Sequence, residues 1–506
     1  MSICAKIRII FSSFLLAIAT CHAQPATQQI IPEEARSTGI DPAAVSADFQ
    51  TLMELYGAPS LSVAMISNGE ITYAQSFGFG DLEMAQPATF ETQYGIGSIV
   101  KSFTSALIGT LEAEGKVDLG AHPSTYVSNL NFKSGDLSEN LTIATLLSQT
   151  SGLPYMDGSL AFFPEREQAD LASRLAHFEA SCRVGNCWSY NNLNFIMLDM
   201  IAESVTGQSK ADLFKDRFLQ PLGMKHTLSE TAMFEASKTA ATGYAMIEGA
   251  PVSTATEYLY DEQIYATASD MARWISAWMD NTNPTIPNDY ATSAISMQAI
   301  DNGAPPTREE PGTYLFGYGY GWNMKSVEGH YVVSHGGNEN GFSSQVLFVP
   351  AADIGFVALT NQQNSILPYL VNDMLFRKSM QLPETPIEDY PVVVSEATGF
   401  LSEDDTIHSV NNSAPMTLEV EDITGTYVAT AYGSINVDFT SDVLMLKTPA
   451  ADFILKHLEG NSFGLATMKP IPLGINIDFF EIEFGPETLT VNIANPPVVF
   501  TKNPEN

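Results

Sequence analysis

The chain has 506 residues, enough for one large domain and a smaller one, and its 45% hydrophobic and 16% charged content is that of a folded protein. A formal net charge of −35 excludes general affinity for nucleic acid or anionic membranes, because such a surface repels both. Solubility in a salty or extracellular medium is the plain reading of that charge.

Residues 1–23 read as a secretory leader. Lys6 and Arg8 give a positive start, an apolar run extends from Ile9 to Ala19, and Cys21-His22-Ala23 surrounds a cleavage point before Gln24. That run is too short to cross a bilayer and no later stretch reaches the needed length, so no membrane span is expected. Lipid attachment at Cys21 is the alternative, with Thr20 a poor fit to its signal. A secreted or periplasmic location follows.

Next, Val45, Phe49, Leu52, Met53 and Tyr56 recur at helical spacing, and Leu61–Ile66 and Ile71–Ser76 read as strands joined across Asn68-Gly69. Gly95 to Lys101 opens a helix whose apolar residues Val100, Phe103, Leu107 and Leu111 are flanked by Ala106 and Ile108, so most of its surface is expected to be buried; Gly115 stops it. Ile143–Leu147 begins another helix, closed by the turn residues of Gln149 to Pro154, and Asn192–Val205 a third, with Gly207 just beyond. Thr267 to Asp270 has the form of a capping box ahead of Met271–Met279. Strands are expected at Tyr331–Ser334, Ser344–Val349 and Ile354–Thr360. Strands early and late around central helices predict an α+β fold whose antiparallel sheet joins both ends of a domain over residues 24–380.

Residues 381–415 are acidic and carry Pro383, Pro386 and Pro391, marking a linker. From 416 to 506 about eight short alternating runs follow, among them Ile435/Val437/Phe439, Ile475/Ile477/Phe479 and Leu489/Val491/Ile493. They predict a small closed antiparallel barrel. Asn140-Leu141-Thr142 and Asn411-Asn412-Ser413 are glycosylation acceptors in a suitable host.

Three stretches carry reactive groups. Ser98 and Lys101 are three apart and share one helix face, and a lysine there is costly to bury unless it has partners. Tyr190-Asn191-Asn192 precedes a helix, and a tyrosine near an ammonium has its phenolate favoured, as a base for a serine hydroxyl requires. Asn192 offers an amide to the lysine or to a substrate carbonyl. Ser334-His335-Gly336-Gly337-Asn338 ends a strand, where the glycines let a substrate approach and the strand edge offers an N–H to an oxyanion. Each stretch alone is compatible with ordinary packing. Cys182 and Cys187 enclose four residues and are candidates for a disulfide; as a metal site they are too few ligands.

Together, in this order, the three boxes resemble the serine β-lactamase and penicillin-binding-protein superfamily, within it the branch of class C β-lactamases, D-Ala-D-Ala carboxypeptidases and related esterases. The likeness extends over roughly residues 35–375. It includes Gly115 to Leu119, Leu146 to Pro154, Pro221 to Met224, Ala268 to Ala272 and Thr360-Asn361, and Ile423 to Lys502 is similar to an appended lipocalin-like domain. The resemblance implies that Ser98 is the nucleophile of an acyl-enzyme, that Lys101 relays protons, and that Tyr190 is the general base. It further implies that Asn192 holds lysine and substrate amide, and that the N–H groups of Ser98 and Asn338, beside Gly337, form the oxyanion hole. It implies no cofactor and no metal. His335 stands where many members carry lysine, which favours ester or small-amide substrates over carboxylate-bearing ones. The expected partner is a small-molecule or peptide substrate, with hydrolysis, acyl transfer by the same residues, or a non-catalytic scaffold as the readings to separate.

Overall fold

The computed structural model describes residues 40–154, 162–163, 174–247, 249–254, 263–302, 312–390, 415–440, 443–466, 480–494 and 497–503. The leader, Cys21, the Asn411 acceptor, most of the linker and the run at Ile475, Ile477 and Phe479 lie outside the described residues.

The hairpin predicted at Asn68-Gly69 joins strands Ser60–Ser67 and Glu70–Asp81. Asn68 and Gly69 have φ of 49° and 75°, the left-handed pair that lets a two-residue turn follow the twist of the strands. These strands continue into a nine-stranded antiparallel sheet. From one edge it runs Gln86–Pro87, Glu70–Asp81, Ser60–Ser67, Ile354–Thr360, Phe342–Val349, His330–Glu339, Asn323–Val327, Thr313–Tyr318 and Ala299–Asn302. Ser62 lies opposite Leu359, so strands from the two ends of the domain are neighbours, as the α+β reading expected.

Each sheet face is covered. Helix Pro42–Tyr56, capped by Asp41, and helix Leu367–Ser379 cover one side through Phe49, Leu52, Val371 and Leu375, all buried against Val63, Val332 and Phe356. On the other side, helix Ala268–Met279 puts Trp274, Ile275 and Trp278 into the larger core. Its N-cap is Thr267, which accepts from the Asp270 N–H at 3.2 Å. The Asp270 carboxylate departs from the predicted reciprocal cap: it accepts from the His226 N–H at 2.8 Å and the Thr227 hydroxyl at 3.0 Å, anchoring a neighbouring loop.

Behind this layer, helix Val100–Ala113 packs against helix Asn192–Thr206. Its burial is nearly complete, as the sequence predicted. Phe103 stacks on Trp274 with ring centroids 3.7 Å apart, and the Trp274 indole N–H donates to Ser102 at 2.8 Å. Between the helices Asp199 accepts from Thr104 at 2.7 Å and pairs with Lys210 at 3.1 Å. A buried ion pair adds little net stability but strongly penalises any arrangement that separates it, so this one fixes register.

Beyond residue 415, eight strands from Gly425–Ala429 to Val498–Lys502 each pair antiparallel with the next, and the first pairs with the last (Tyr427 opposite Lys502), closing a barrel. Alternation sets its inside: Ile482 and Phe484 are buried while Glu481 and Glu483 are exposed. Two residues from the first domain complete the interior. Phe162 stacks on Phe453 at 5.1 Å and meets Phe480 at 5.4 Å, Phe163 stacks on Phe500 at 5.9 Å, and Ala450 N–H donates to Phe162 O at 3.2 Å.

Candidate active site

The turn that carries Ser98 is held by backbone contact. Ser98 lies in a short 3-10 turn, Gly97–Ile99, one step before the helix rather than within it. This turn abuts strand His330–Glu339 so closely that a side chain has no room. A Cβ on Gly337 would stand 1.9 Å from Ile96 O, and one on Gly97, whose φ is +50°, would stand 2.9 Å from Asn338 N. Ser344 clamps the junction by donating to Ile96 O at 2.9 Å. The backbones flanking Ser98 and Asn338 are thereby brought side by side.

Lys101 projects from the first turn of the helix. Its ammonium is buried and donates to Ser98 Oγ at 3.0 Å, with Ser98 itself half-buried. The ammonium also sits 5.0 Å from the centroid of the Tyr190 ring and 5.8 Å from that of Phe195, inside the range at which a ring face attracts a cation. Hydroxyl, ammonium and phenol ring, separated by up to 92 positions of sequence, therefore share one small volume.

The Tyr190 segment is set by Gln149. Its side-chain oxygen accepts from Asn191 N–H at 2.9 Å and from the Asn194 amide at 2.5 Å, while its backbone carbonyl accepts from Ser189 N–H at 2.9 Å. Asn191 caps the following helix through Leu193 N–H at 2.8 Å and also donates to Pro154 O at 2.5 Å. Asn192 is then the first helical residue, one turn before Phe195 and on the same face, which is the Lys101 side. Cys182 and Cys187 are joined by a disulfide in the approach to Tyr190.

His335 is buried opposite. Its Nδ1 donates to Gly336 O at 2.6 Å, leaving Nε2 to accept from the Tyr318 hydroxyl at 3.3 Å. Burial, with the Lys101 charge adding to it, lowers its pKa to about 3 against a smaller opposing effect of the Gly336 carbonyl, so the ring is neutral. Tyr318 stands edge-on to Tyr190 at 6.2 Å and lies tilted against Trp188 at 6.1 Å, forming an aromatic wall. The strand is also open where it matters. Asn323–Val327 accompanies it only as far as Ser334, whereas Phe342–Val349 continues to Glu339. From His335 to Asn338 the outer edge has no strand neighbour among the described residues.

Ser98, Lys101, Tyr190, His335, Gly337 and Asn338 thus lie together, with Asn192 one helical step from Phe195. Sequence reasoning passed over Tyr318, the orienting role of Gln149, and Glu339. Glu339 was findable by alternation, since it shares a strand face with His335 and Gly337. No cluster of three metal-ligating side chains occurs among the described residues.

Comparison with known proteins bears on the family and the fold. The family model described as beta-lactamase matches residues 45–375. Among curated relatives, Protein flp of Staphylococcus aureus is 29% identical over 322 residues, covering 62% of each chain. The Unguisins hydrolase ungD of Aspergillus violaceofuscus is 26% identical over 339 residues, 61% of this chain and 59% of that one. The match therefore spans less than two thirds of either relative. Among solved structures, the octameric penicillin-binding protein homologue from Pyrococcus abyssi has a TM-score of 0.63 at 20% identity, covering 91% of this chain and all of that one. A class C beta-lactamase has a TM-score of 0.54 at 22% identity, covering 69% of this chain and 98% of that one. At such identities these structures share the fold.

Proposed function

The chain belongs to the beta-lactamase family, and from that premise we propose that it is a serine hydrolase acting through an acyl-enzyme on Ser98, with esters or small neutral amides as substrates. The observation that carries this reading is the 3.0 Å contact between Lys101 Nζ and Ser98 Oγ, with the Tyr190 ring against the same ammonium.

Ser98 Oγ attacks the substrate carbonyl while its proton passes into the Lys101–Tyr190 pair. The oxyanion is received by the N–H groups of Ser98 and Asn338, donors fixed before the reaction and so needing no reorganisation. The pair returns the proton to the leaving alcohol or amine as the carbonyl re-forms. Water, deprotonated by the same pair, then hydrolyses the acyl-enzyme, and Ser98 regains its proton. Asn192 steadies the lysine and the substrate amide.

Substrate class rests on His335. A neutral ring tied to Gly336 and Tyr318 offers no charge to a carboxylate, so recognition falls to the open strand edge and the aromatic wall. The leader-like residues 1–23 and the Cys182–Cys187 disulfide support an extracytoplasmic location. Among the described residues no helix is long and apolar enough to cross a membrane.

The test compares p-nitrophenyl acetate, nitrocefin and an acyl-D-Ala-D-Ala peptide as substrates of the wild type and His335→Lys. Ester turnover should dominate in the wild type, and His335→Lys should shift preference toward the two carboxylate-bearing compounds. Wild-type preference for those compounds would overturn the substrate assignment.

A further inference from the structure

Glu339 is a buried carboxyl that the chemistry above does not use. It follows Asn338 directly, and its side chain points at the nucleophile turn, where Oε2 accepts from the Gly97 N–H at 3.1 Å. It fills the space left by Gly95, on which a Cβ would stand 2.4 Å from Oε2. Its other oxygen, Oε1, is buried with no hydrogen-bond partner. One side chain therefore links the residue before Ser98 to the residue after Asn338, the two backbones that supply the oxyanion donors.

The surroundings determine its charge. The nucleophile turn brings Gly95 and the Gly97 N–H to it, and strand Phe342–Val349 brings the Phe342 ring. The short ladder of Tyr94–Gly95 with Tyr265–Ala266 packs on the same turn. Its titratable groups are engaged elsewhere, Tyr94 with Ser60 and Ser62, Tyr265 with Thr231. Lys101, the charged group of the helix that follows, acts on Ser98 and His335. Among the described residues no basic side chain pairs with Glu339. An ionised carboxylate with one oxygen bare in such a place is costly.

We propose that Glu339 is a positioning residue of the acyl-transfer site: as the uncharged acid it pins the Gly97–Ser98 turn against Asn338, and on losing its proton it sets a negative charge behind the oxyanion hole. The proton resides on Oε1, which leaves Oε2 as the carbonyl acceptor for Gly97. Burial raises the carboxyl to about 8 against the opposing Gly97 hydrogen bond, so the acid form persists through neutral pH. Deprotonation then opposes the oxyanion and slows acylation on the alkaline side, where a lysine–tyrosine base by itself gives rising activity.

The inference rests on the acyl-enzyme reading, and the experiment separates the two. The full chain, Glu339→Leu, Glu339→Gln and Ser98→Ala are assayed with p-nitrophenyl acetate from pH 5.5 to 9.5, with circular dichroism as the check on folding. Glu339→Leu removes the acceptor and should lower kcat up to about 100-fold, no more than the loss of an oxyanion-hole donor itself, with KM little changed. Glu339→Gln keeps an acceptor but cannot ionise, so it should restore most of that rate and abolish the wild type's fall above pH 8. If Glu339→Leu fails to fold, the Glu339→Gln profile decides. A Glu339→Gln profile that falls above pH 8 as the wild type's does would overturn the inference and leave the Ser98 reading intact. Turnover by Ser98→Ala equal to wild type would overturn both.

Discussion

The two ends of the chain fill their interiors in opposite ways. Around Ser98 the first domain buries Lys101, His335, Glu339, Gln149, Asn191 and Asn194, groups that are expensive to desolvate and that contact one another or the backbone. The barrel's interior instead holds Tyr427, Phe453, Phe463, Phe484 and Phe500, and it takes in Phe162 and Phe163 from the first domain. The polar groups gathered around Ser98 set that region apart from the barrel, whose interior is packed with aromatic rings. Different substitutions should therefore fail in different ways.

The largest expected loss is chemical. Lys101→Met removes the cation beside Ser98 and should cut kcat for an ester about 10²- to 10⁴-fold, the range of general acid–base assistance, while thermal stability holds or rises because a buried charge is gone. Tyr190→Phe should fall in the same range. Steady-state kinetics beside a thermal melt checks both, and stability loss without rate loss would erase the contrast between the two regions.

In the barrel the order reverses. Phe453→Ala takes a fully buried ring from between Phe162 and the barrel core, and such truncations cost about 3–5 kcal/mol. Urea unfolding should register that loss while kcat for the ester stays within about threefold. A proportionate fall in kcat would mean that the barrel shapes the site.

Acid sharpens the comparison further. Because His335 is neutral down to about 3 when folded but titrates near 6.5 when unfolded, its contribution is complete above pH 6.5 and is lost as pH falls from there toward 3. Glu339 has the opposite sign: its raised pKa contributes stability that is complete below about 4.5 and lost as pH rises to about 8. Urea unfolding across pH 4 to 9 should become flatter on the acid side in His335→Gln and on the alkaline side in Glu339→Gln. The smallest effect belongs to the disulfide. Its loop is short, so Cys182→Ser with Cys187→Ser should cost about 2 kcal/mol or less by loop entropy, read as a modest drop in melting temperature.

Much of this was legible in the sequence because the features are local. Asn68-Gly69 specifies its own turn, Gly207 ends its helix, and Ser98 to Lys101 is one helical step. The barrel's alternation was legible for the same reason. What escaped depends on pairing across the chain. Glu339 matters because strand His330–Glu339 extends past the expected end at Ser334, which places it on the His335 face. Tyr318 matters because its strand comes to lie near that histidine. Phe162 and Phe163 gave no signal at all, since their partners are hundreds of residues away in the barrel.

The central claim is that Ser98 is the acyl-accepting nucleophile, and intact-mass spectrometry after a fluorophosphonate probe tests it most directly. Wild type should gain one adduct, located on the peptide that contains Ser98, and Ser98→Ala should gain none. An unmodified wild type, or an equal adduct on Ser98→Ala, would contradict the account.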